Sequence, residues 1–312
     1  MRVLVTGGNG SVGRDLVPAL VAAGHEVVVL DRELGALEPL PRKRLQLVKG
    51  GVEDRSAVEE AIGGAQAVIH LAWSFSDDPA VLLDRDLKGH QLLLQAARAR
   101  GVRHFVYTSS AVVYGKPLQI PIAEDHPLRV LEARKPAYAI AKETAEKLTQ
   151  LAAATGGPPG TVLRFWWSFG EAIAGRHLRD MLAAAAAGDR LRVPVECGGS
   201  FLTAEDLTAA VQAILEPRAS FETFNLASAY VTWEEVARMA LEVTGSSASV
   251  DLVPASAFTG PAFLADPWQL DDRRLRAAAG WAPRRGPAEV RGLLERAIAR
   301  TWERARAQAA RP

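Results

Sequence analysis

The sequence predicts an α/β fold, in which a doubly wound parallel sheet carries a smaller α/β lobe at its carboxyl end. Three observations support this prediction. Short apolar runs rich in Val and Ile alternate with segments of helical periodicity. A glycine-rich stretch stands directly behind the first of these runs. The chain has 312 residues, of which 48% are hydrophobic, so it can bury a large core and a smaller one.

The apolar runs are continuous, which is typical of strands that helices cover on both faces. The first segment between them places Leu16 and Leu20 on one helical face, with Val17 and Val21 beside them. Strands alternating with such helices predict a Rossmann sheet. The predicted strands are, in chain order, RVLVTG, EVVVLD, LQLVKG, AVIHLAW, HFVYTSS and TVLRFWW.

The glycines behind the first strand predict a dinucleotide-binding turn. Gly7, Gly10 and Gly13 are spaced three apart, and Gly8, Gly10 and Gly13 also satisfy the dinucleotide fingerprint. Glycine permits a tight turn and a close approach of the backbone to a pyrophosphate. The phosphate charge then lies at the amino end of the following helix dipole.

The second predicted strand ends at Asp31, where a carboxylate can accept hydrogen bonds from the adenosine ribose hydroxyls. An acid at this place repels a ribose phosphate, so we expect NAD as the cofactor. Arg32 beside it leaves NADP as an alternative.

These motifs suggest a division into two parts. We expect residues 1–170 to form the dinucleotide-binding domain, with residues 201–228 completing its sheet through the run TFNLAS. Residues 171–312 are expected to form mainly the substrate-binding lobe. The alternation of strand and helix becomes less regular after Gly170, which is why we place the boundary there.

The composition argues against several kinds of partner. The formal net charge is +1, so no overall field draws the chain to nucleic acid or to a membrane. Cys197 is the single cysteine and the six histidines are scattered, so we expect no disulfide and no metal site. The first strand begins at once and no apolar run can span a bilayer, so we expect a cytoplasmic protein.

A tyrosine, a lysine and a serine form the candidate catalytic set. Tyr138 and Lys142 lie four residues apart in a predicted helix and therefore share a face. Ser110 follows the fifth strand, at the sheet edge where such folds bind ligands. A phenol has a pKa near 10, and a lysine ammonium one turn away favours its ionised form. Tyr138 can then act as a general base while Ser110 holds the substrate oxygen.

The motifs resemble the extended short-chain dehydrogenase/reductases, and within them the NAD-dependent epimerase/dehydratase family. The resemblance covers nearly the whole chain through TGGNGSVG, VIHLAW, YTSSAVVYG, YAIAK, LRFWWSFG and LDDRRLRAAAGWAP. It implies that Ser110, Tyr138 and Lys142 are catalytic, with Lys142 also on the nicotinamide ribose. It further implies a small-molecule substrate and a homodimer formed through the helices around residues 84–100 and 137–153. The cofactor contacts that we expect are Gly7, Gly10, Ser11, Val12, Gly13, Asp31, Arg32, Val52, Leu71, Ala72, Tyr138 and Lys142.

Departures from the family pattern narrow the chemistry. Ala111 and Val112 stand where sugar nucleotide dehydratases have acids, so we expect no dehydratase. Family members that epimerise a carbon beside a carbonyl and then reduce the product use a cysteine and histidine pair. Cys197 has no evident histidine partner, which disfavours that chemistry. Gly51 stands where an Asp near the adenine is common, which leaves Val52 as the expected adenine contact. Asp86 stands where the family commonly has an Asn in the helix beneath the active site. The roles of the family's residues therefore transfer less directly to this chain at that place.

Aromatic residues are expected on the substrate side of the cleft. Trp167 stands where nucleotide sugar enzymes of the family usually have an Asn that often helps to hold the diphosphate. The Arg that commonly precedes the strand GGSFLTAEDL is also missing. Trp73, Trp166 and Trp167 can instead stack on a sugar or base, or face a less polar substrate. Alternatively, they pack the seam between the lobes.

Three functions follow from this reading. The first is an epimerase that oxidises a secondary alcohol, most often at a sugar C4, and returns the hydride to the other face of the transient ketone. The second is a simple dehydrogenase or ketoreductase on a sugar acid or a less polar substrate. The third is an NAD-binding sensor without catalysis, which the presence of Tyr138 and Lys142 disfavours.

Overall fold

The predicted parallel sheet is confirmed. The computed structural model describes residues 1–216 and 220–309. Its main sheet has seven parallel strands in the order β10-β6-β5-β4-β1-β2-β3. These strands are β1 (Arg2–Thr6), β2 (Glu26–Asp31), β3 (Leu45–Lys49), β4 (Ala67–His70), β5 (His104–Thr108), β6 (Gly160–Phe165) and β10 (Glu222–Leu226).

The helices cover both faces of this sheet, so its strands have to be apolar on both sides. Val3, Leu4 and Val5 of β1 are fully buried: Val3 and Val5 face one layer and Leu4 faces the other. The helices are α1 (Gly13–Ala22), α2 (Arg55–Ala61), α3 (Pro79–Val81), α4 (Lys88–Ala99), α5 (Pro136–Ala154), α6 (Arg176–Ala187), α7 (Ala204–Ile214), α8 (Trp233–Thr244), α9 (Arg273–Ala279) and α10 (Pro287–Ala309).

The remaining strands build small sheets at the carboxyl side of the main one. β9 (Gly198–Thr203) pairs in parallel with β7 (Trp167–Phe169) and β13 (Pro267–Trp268), and antiparallel with β11 (Ala229–Thr232). β8 (Leu191–Pro194) pairs with β12 (Val250–Val253). A separate aromatic and aliphatic core fills this region, with Phe201 and Trp233 among its buried residues. The small sheets therefore form a lobe whose hydrophobic core is separate from the two cores that flank the main sheet.

His70 and His104 are fully buried within their strands. Over residues 1–216 and 220–309, none of the helices has the length and apolarity needed to cross a bilayer. Within the same residues, no three His, Cys, Asp or Glu side chains are grouped as metal ligands.

Candidate active site

The turn behind β1 has a backbone that favours glycine at its first position. Gly7 has φ of +72°, and a Cβ there would lie 2.6 Å from the backbone nitrogen of Ala72. The Gly7 N–H donates to the Leu30 carbonyl at 2.9 Å, and the Gly10 N–H donates to the Gly7 carbonyl at 3.0 Å. The turn therefore lies close against the ends of β2 and β4.

The amino end of α1 is open to an anion. A Cβ at Gly13 would lie 2.4 Å from the Cα of Gly8, so turn and helix are in direct contact. Val12 precedes the helix without a side-chain cap, and Ser11 is exposed. A pyrophosphate here would meet the first-turn N–H groups and the positive end of the helix dipole. The turn and the uncapped helix therefore fit the phosphates of NAD.

Asp31 lies beside this turn at the end of β2. Its Oδ2 accepts a hydrogen bond from the Asn9 N–H at 2.9 Å, and its Oδ1 accepts one from the Glu33 N–H at 3.3 Å. The other lone pairs can accept ribose hydroxyls. Arg32 Nε lies 3.6 Å from Oε1 of Glu53. Because a carboxylate already faces Arg32, this corner favours NAD over NADP.

The other expected cofactor contacts lie at the same sheet edge. Leu71 follows β4, and its N–H donates to the Thr6 carbonyl at 3.1 Å. The Ala72 N–H donates to Thr6 Oγ1 at 3.4 Å. Val52 follows β3 and is buried against Gly89. Leu71 and Ala72 therefore lie at the carboxyl end of β4, next to the glycine turn, and Val52 lies at the carboxyl end of β3, two strands from β1 on the other side.

Tyr138, Lys142 and Ser110 come together further along this edge. Tyr138 and Lys142 lie one turn apart near the start of α5 and are only 6% and 3% exposed. Lys142 Nζ donates to the Thr108 carbonyl at 2.9 Å and lies 5.8 Å from the Tyr138 ring centre. Ser110 follows β5, and its side chain lies close enough to the Tyr138 phenol to lower its pKa. The fold thus joins a helix and a strand end into one polar cluster.

Burial dominates the ionisation of this cluster. It raises the pKa of Tyr138, as does the charge of Asp86, while the hydrogen bond with Ser110 and the charge of Arg134 lower that pKa. Burial also lowers the pKa of Lys142 to about 7, against the opposing charges of Asp86 and Glu146. Burial therefore favours the neutral phenol, and a further positive charge beside it would favour the phenolate.

Trp73 packs directly on the lysine. Lys142 Nζ lies 4.0 Å from the centre of the Trp73 ring and 4.8 Å from that of Tyr107. Aromatic faces attract an ammonium group and keep water from it. Trp73 Nε1 is buried and has no hydrogen-bond partner among the residues that the structure describes. Trp73 therefore belongs to the candidate catalytic cluster of Ser110, Tyr138 and Lys142.

Trp166 and Trp167 lie mainly in the core of the carboxyl-terminal lobe. The Trp167 ring stacks on Phe201, with 5.7 Å between ring centres and 18° between planes. Trp166 meets Trp167, Phe201 and Trp233 at 5.4, 5.6 and 5.6 Å. Trp166 also packs against the small cluster that contains Ala111. The pair thus packs the lobe, and Trp166 reaches its seam with the main domain.

Phe75 is a contact that the sequence argument missed. Its φ is +54°, its side chain is 68% exposed, and its ring stacks on Tyr138 at 5.8 Å and 16°. Such a backbone is unfavourable for phenylalanine and persists where the surroundings hold it, often at functional sites. The sequence WSFSDD offers no signal for this contact, because it has the composition of an ordinary loop.

Asp86 holds the loop that presents Phe75. It lies in the π-helical stretch Leu82–Leu87, is 2% exposed and accepts the Ser74 N–H at 3.1 Å. The Ser74 hydroxyl donates to its other oxygen. Burial raises the pKa of Asp86, while the Ser74 hydrogen bonds and Lys142 lower it. π-Helical turns often occur at functional sites, and this one directs a carboxylate toward the catalytic cluster.

A buried ion pair holds α5 beneath the site. Arg164 Nε donates to Glu146 Oε1 at 3.0 Å, and Arg164 Nη2 donates to Glu146 Oε2 at 2.5 Å. The Ser109 hydroxyl donates to the same carboxylate. Arg164 Nη1 also donates to the Tyr114 hydroxyl at 3.1 Å, which in turn donates to Asn225 Oδ1 at 2.7 Å. The network connects α5 to β6 and β10.

The chain is similar to known proteins over nearly its whole length. The model of the NAD dependent epimerase/dehydratase family matches residues 3–227. A UDP-glucose 4-epimerase of Corynebacterium glutamicum is 28% identical over 96% of this chain and 96% of its own length.

Solved structures show the same fold. A Thermus thermophilus UDP-glucose 4-epimerase in complex with NAD has a TM-score of 0.76 and 25% identity, covering 96% of this chain and 99% of that one. A dTDP-glucose 4,6-dehydratase double mutant from Streptomyces venezuelae has a TM-score of 0.79 and 23% identity, covering 99% and 98%. The latter likeness concerns the fold alone. Because the family match extends from the glycine turn through the catalytic cluster, the chain belongs to the NAD dependent epimerase/dehydratase family.

Proposed function

We propose that this enzyme oxidises a secondary alcohol of a nucleotide sugar and reduces the resulting ketone from its other face, as a 4-epimerase does. The observation that carries this proposal is the Ser110, Tyr138 and Lys142 cluster, at the sheet edge that also holds the glycine turn. The similarity to UDP-glucose 4-epimerases over nearly the whole chain supports the substrate class.

Tyr138 is the proposed base. Its phenolate takes the proton of the substrate hydroxyl, and Ser110 donates a hydrogen bond to the substrate oxygen as the carbonyl forms. NAD, when bound, supplies the hydride acceptor and a positive charge on its nicotinamide ring. A positive charge near Tyr138 opposes the effect of burial on its pKa. The same residues return the proton when the ketone is reduced.

We propose that Lys142 positions both the ribose of the cofactor and the phenolate of Tyr138. Its Nζ is fixed by the Thr108 carbonyl and by the Trp73 ring, so the ammonium has little freedom. From there it can reach a ribose hydroxyl and stabilise the phenolate in one arrangement. The proposed cofactor cradle is the glycine turn with Asp31, Val52, Leu71 and Ala72 along the adjoining strand ends.

Arg134 supports a substrate with an anionic group. Its guanidinium lies 4.2 Å from the centre of the Phe263 ring and has no hydrogen bond or ion pair within residues 1–216 and 220–309. Its charge acts on Tyr138 and on His177, so it lies near the catalytic cluster and near α6. We infer that Arg134 contacts the diphosphate of the substrate. It would replace the family's common Asn, which is Trp167 here, and the Arg that is missing before GGSFLTAEDL.

A dehydrogenase or ketoreductase on a less polar substrate is the second candidate. The exposed Phe75 ring beside Tyr138 favours it, because an aromatic surface at the reacting centre suits an apolar group as well as a sugar face. Ala111 and Val112 offer no carboxylate for eliminating water, so dehydratase chemistry is not proposed.

The reaction is tested with purified protein, NAD and a panel of UDP sugars, free sugar acids and hydrophobic ketones or alcohols. Product isomers without net NADH support epimerisation, and stoichiometric NADH with a released ketone supports the second candidate. Tyr138→Phe should lower turnover by roughly 100-fold or more, since it removes the proton acceptor. NAD binding by this variant should be nearly unchanged. Wild-type turnover by Tyr138→Phe would contradict both enzymatic assignments.

A further inference from the structure

Glu53 carries a carboxylate oxygen for which the chain offers no donor. Oε2 is buried and has no hydrogen-bond partner within the described residues, although the side chain as a whole is 30% exposed. The other oxygen faces Arg32 Nε at 3.6 Å. A buried carboxylate oxygen without a donor is costly, so native structures usually provide one from protein, water or ligand.

Gly51 makes the room that this carboxylate occupies. A Cβ at position 51 would lie 2.4 to 2.5 Å from the carboxyl carbon and both oxygens of Glu53. No side chain can therefore stand at position 51 unless Glu53 moves. The adjoining Gly50 N–H donates to the Asp31 carbonyl at 2.9 Å, which ties this loop to the end of β2. The Glu53 carboxylate consequently takes the place of a short side chain at residue 51.

The order of strands places this carboxylate beside the base of a bound dinucleotide. The glycine turn follows β1, Asp31 ends β2, and the Gly51 loop follows β3, the next strand outward. A pyrophosphate on the turn and a ribose on Asp31 direct the attached base toward β3. Adenine presents an exocyclic amino group, which is a hydrogen-bond donor.

We propose that Glu53 accepts a hydrogen bond from the adenine amino group of NAD and so selects the base of the cofactor. This inference rests on the proposed cofactor site but not on the proposed reaction. A carboxylate has only acceptor oxygens, so it favours an amino group and disfavours a base with a carbonyl at that position. Val52 then packs on the base, and Glu53 reads its polar edge.

The test compares NAD with nicotinamide hypoxanthine dinucleotide, which has a carbonyl in place of the amino group. Calorimetry gives the Kd of both for the wild type, for Glu53→Gln and for Glu33→Gln, a control at an exposed acid near Asp31. We expect the wild type and the control to prefer NAD by about 10-fold or more. Glu53→Gln should bind both dinucleotides about equally, because an amide can accept and donate.

A relocated carboxylate provides the second arm of the test. Glu53→Ala should lose the preference, and Gly51→Asp/Glu53→Ala should regain it, because the new acid enters the space that Glu53 left. Gly51→Asp alone should weaken NAD binding, because two carboxylates then compete for one space.

Two results would overturn the assignment. One is a wild type that binds both dinucleotides equally, and the other is a Glu53→Gln variant with the wild-type preference. Either could occur while Tyr138→Phe still abolishes turnover, so this inference and the proposed reaction fail separately. Regained preference in the double variant would also exclude simple misfolding of the loop as the cause of the Glu53→Ala result.

Discussion

Lys142, the proposed positioning group, lies where its charge has a cost to folding. It is 3% exposed, and burial lowers its pKa to about 7 from an ordinary value of 10.5. The folded protein therefore releases this proton at a lower pH than the unfolded chain does. Below about pH 7 the folded state carries a buried ammonium, and above about pH 10.5 both states are neutral. The contribution of Lys142 to stability consequently improves as the pH rises between these values.

Lys142→Met should remove this pH dependence. We expect the unfolding free energy of the wild type, minus that of the variant, to increase by about 1 kcal/mol or more between pH 7 and pH 10. Urea unfolding of the cofactor-free proteins at several pH values measures the difference. Lys147→Met is the matched control, since Lys147 lies on the same helix with its side chain 66% exposed. A constant gap between wild type and Lys142→Met across this range would contradict the prediction.

At the scale of the element, α5 carries the proposed catalytic groups on one of its faces. Tyr138, Lys142 and Glu146 follow at intervals of four residues. The two proposed catalytic groups and the acid that pairs with Arg164 therefore share that face. The side chains of Arg164 and Glu146 are only 6% and 5% exposed. Their ion pair therefore sets how α5 lies against β6 and, through it, where Tyr138 stands.

Glu146→Gln should destabilise the fold by about 3 kcal/mol, because it leaves the Arg164 charge buried without its counterion. Urea unfolding at pH 7 measures this loss. Glu234→Gln provides the comparison, since it breaks an ion pair with Arg238 whose side chains are 67% and 36% exposed. That change should cost less than about 1 kcal/mol. Equal losses for the two variants would mean that the buried pair does not hold α5.

At the scale of the whole molecule, exposed apolar side chains mark a candidate contact between two copies. Ile140 and Leu151 lie three turns apart on α5 and are 42% and 57% exposed. Leu83 is 59% exposed and lies in the π-helical stretch before α4. These segments belong to the two helical regions through which the family resemblance implies a homodimer. Apolar groups on a shared face favour association when they are covered together.

We predict that the protein is a homodimer and that Ile140→Glu/Leu151→Glu converts it to a monomer. Light scattering coupled to size-exclusion chromatography gives the mass of each species. Leu252→Glu is the control, because Leu252 is 42% exposed on β12, in the other lobe. The control should remain dimeric. A wild type of monomeric mass, or a dimeric double variant, would show that these helices do not form the interface.

Local patterns in the sequence were enough to predict the parallel sheet, the glycine turn and the pairing of Tyr138 with Lys142 on one helix face. Each of these depends on patterns within a short stretch: continuous Val and Ile runs report two covered faces, and a spacing of four reports a common helix face. The position of Gly7 is predictable for the same reason, since its positive φ belongs to a local turn.

The tertiary structure alone decided how these local features meet. Phe75 reaches Tyr138, Glu146 reaches Arg164, and Trp167 turns into the lobe core, all across separations that no local pattern records. The pKa directions of Tyr138 and Lys142 belong to this group as well. Desolvation depends on everything packed around a group, and residues distant in the chain supply most of that packing.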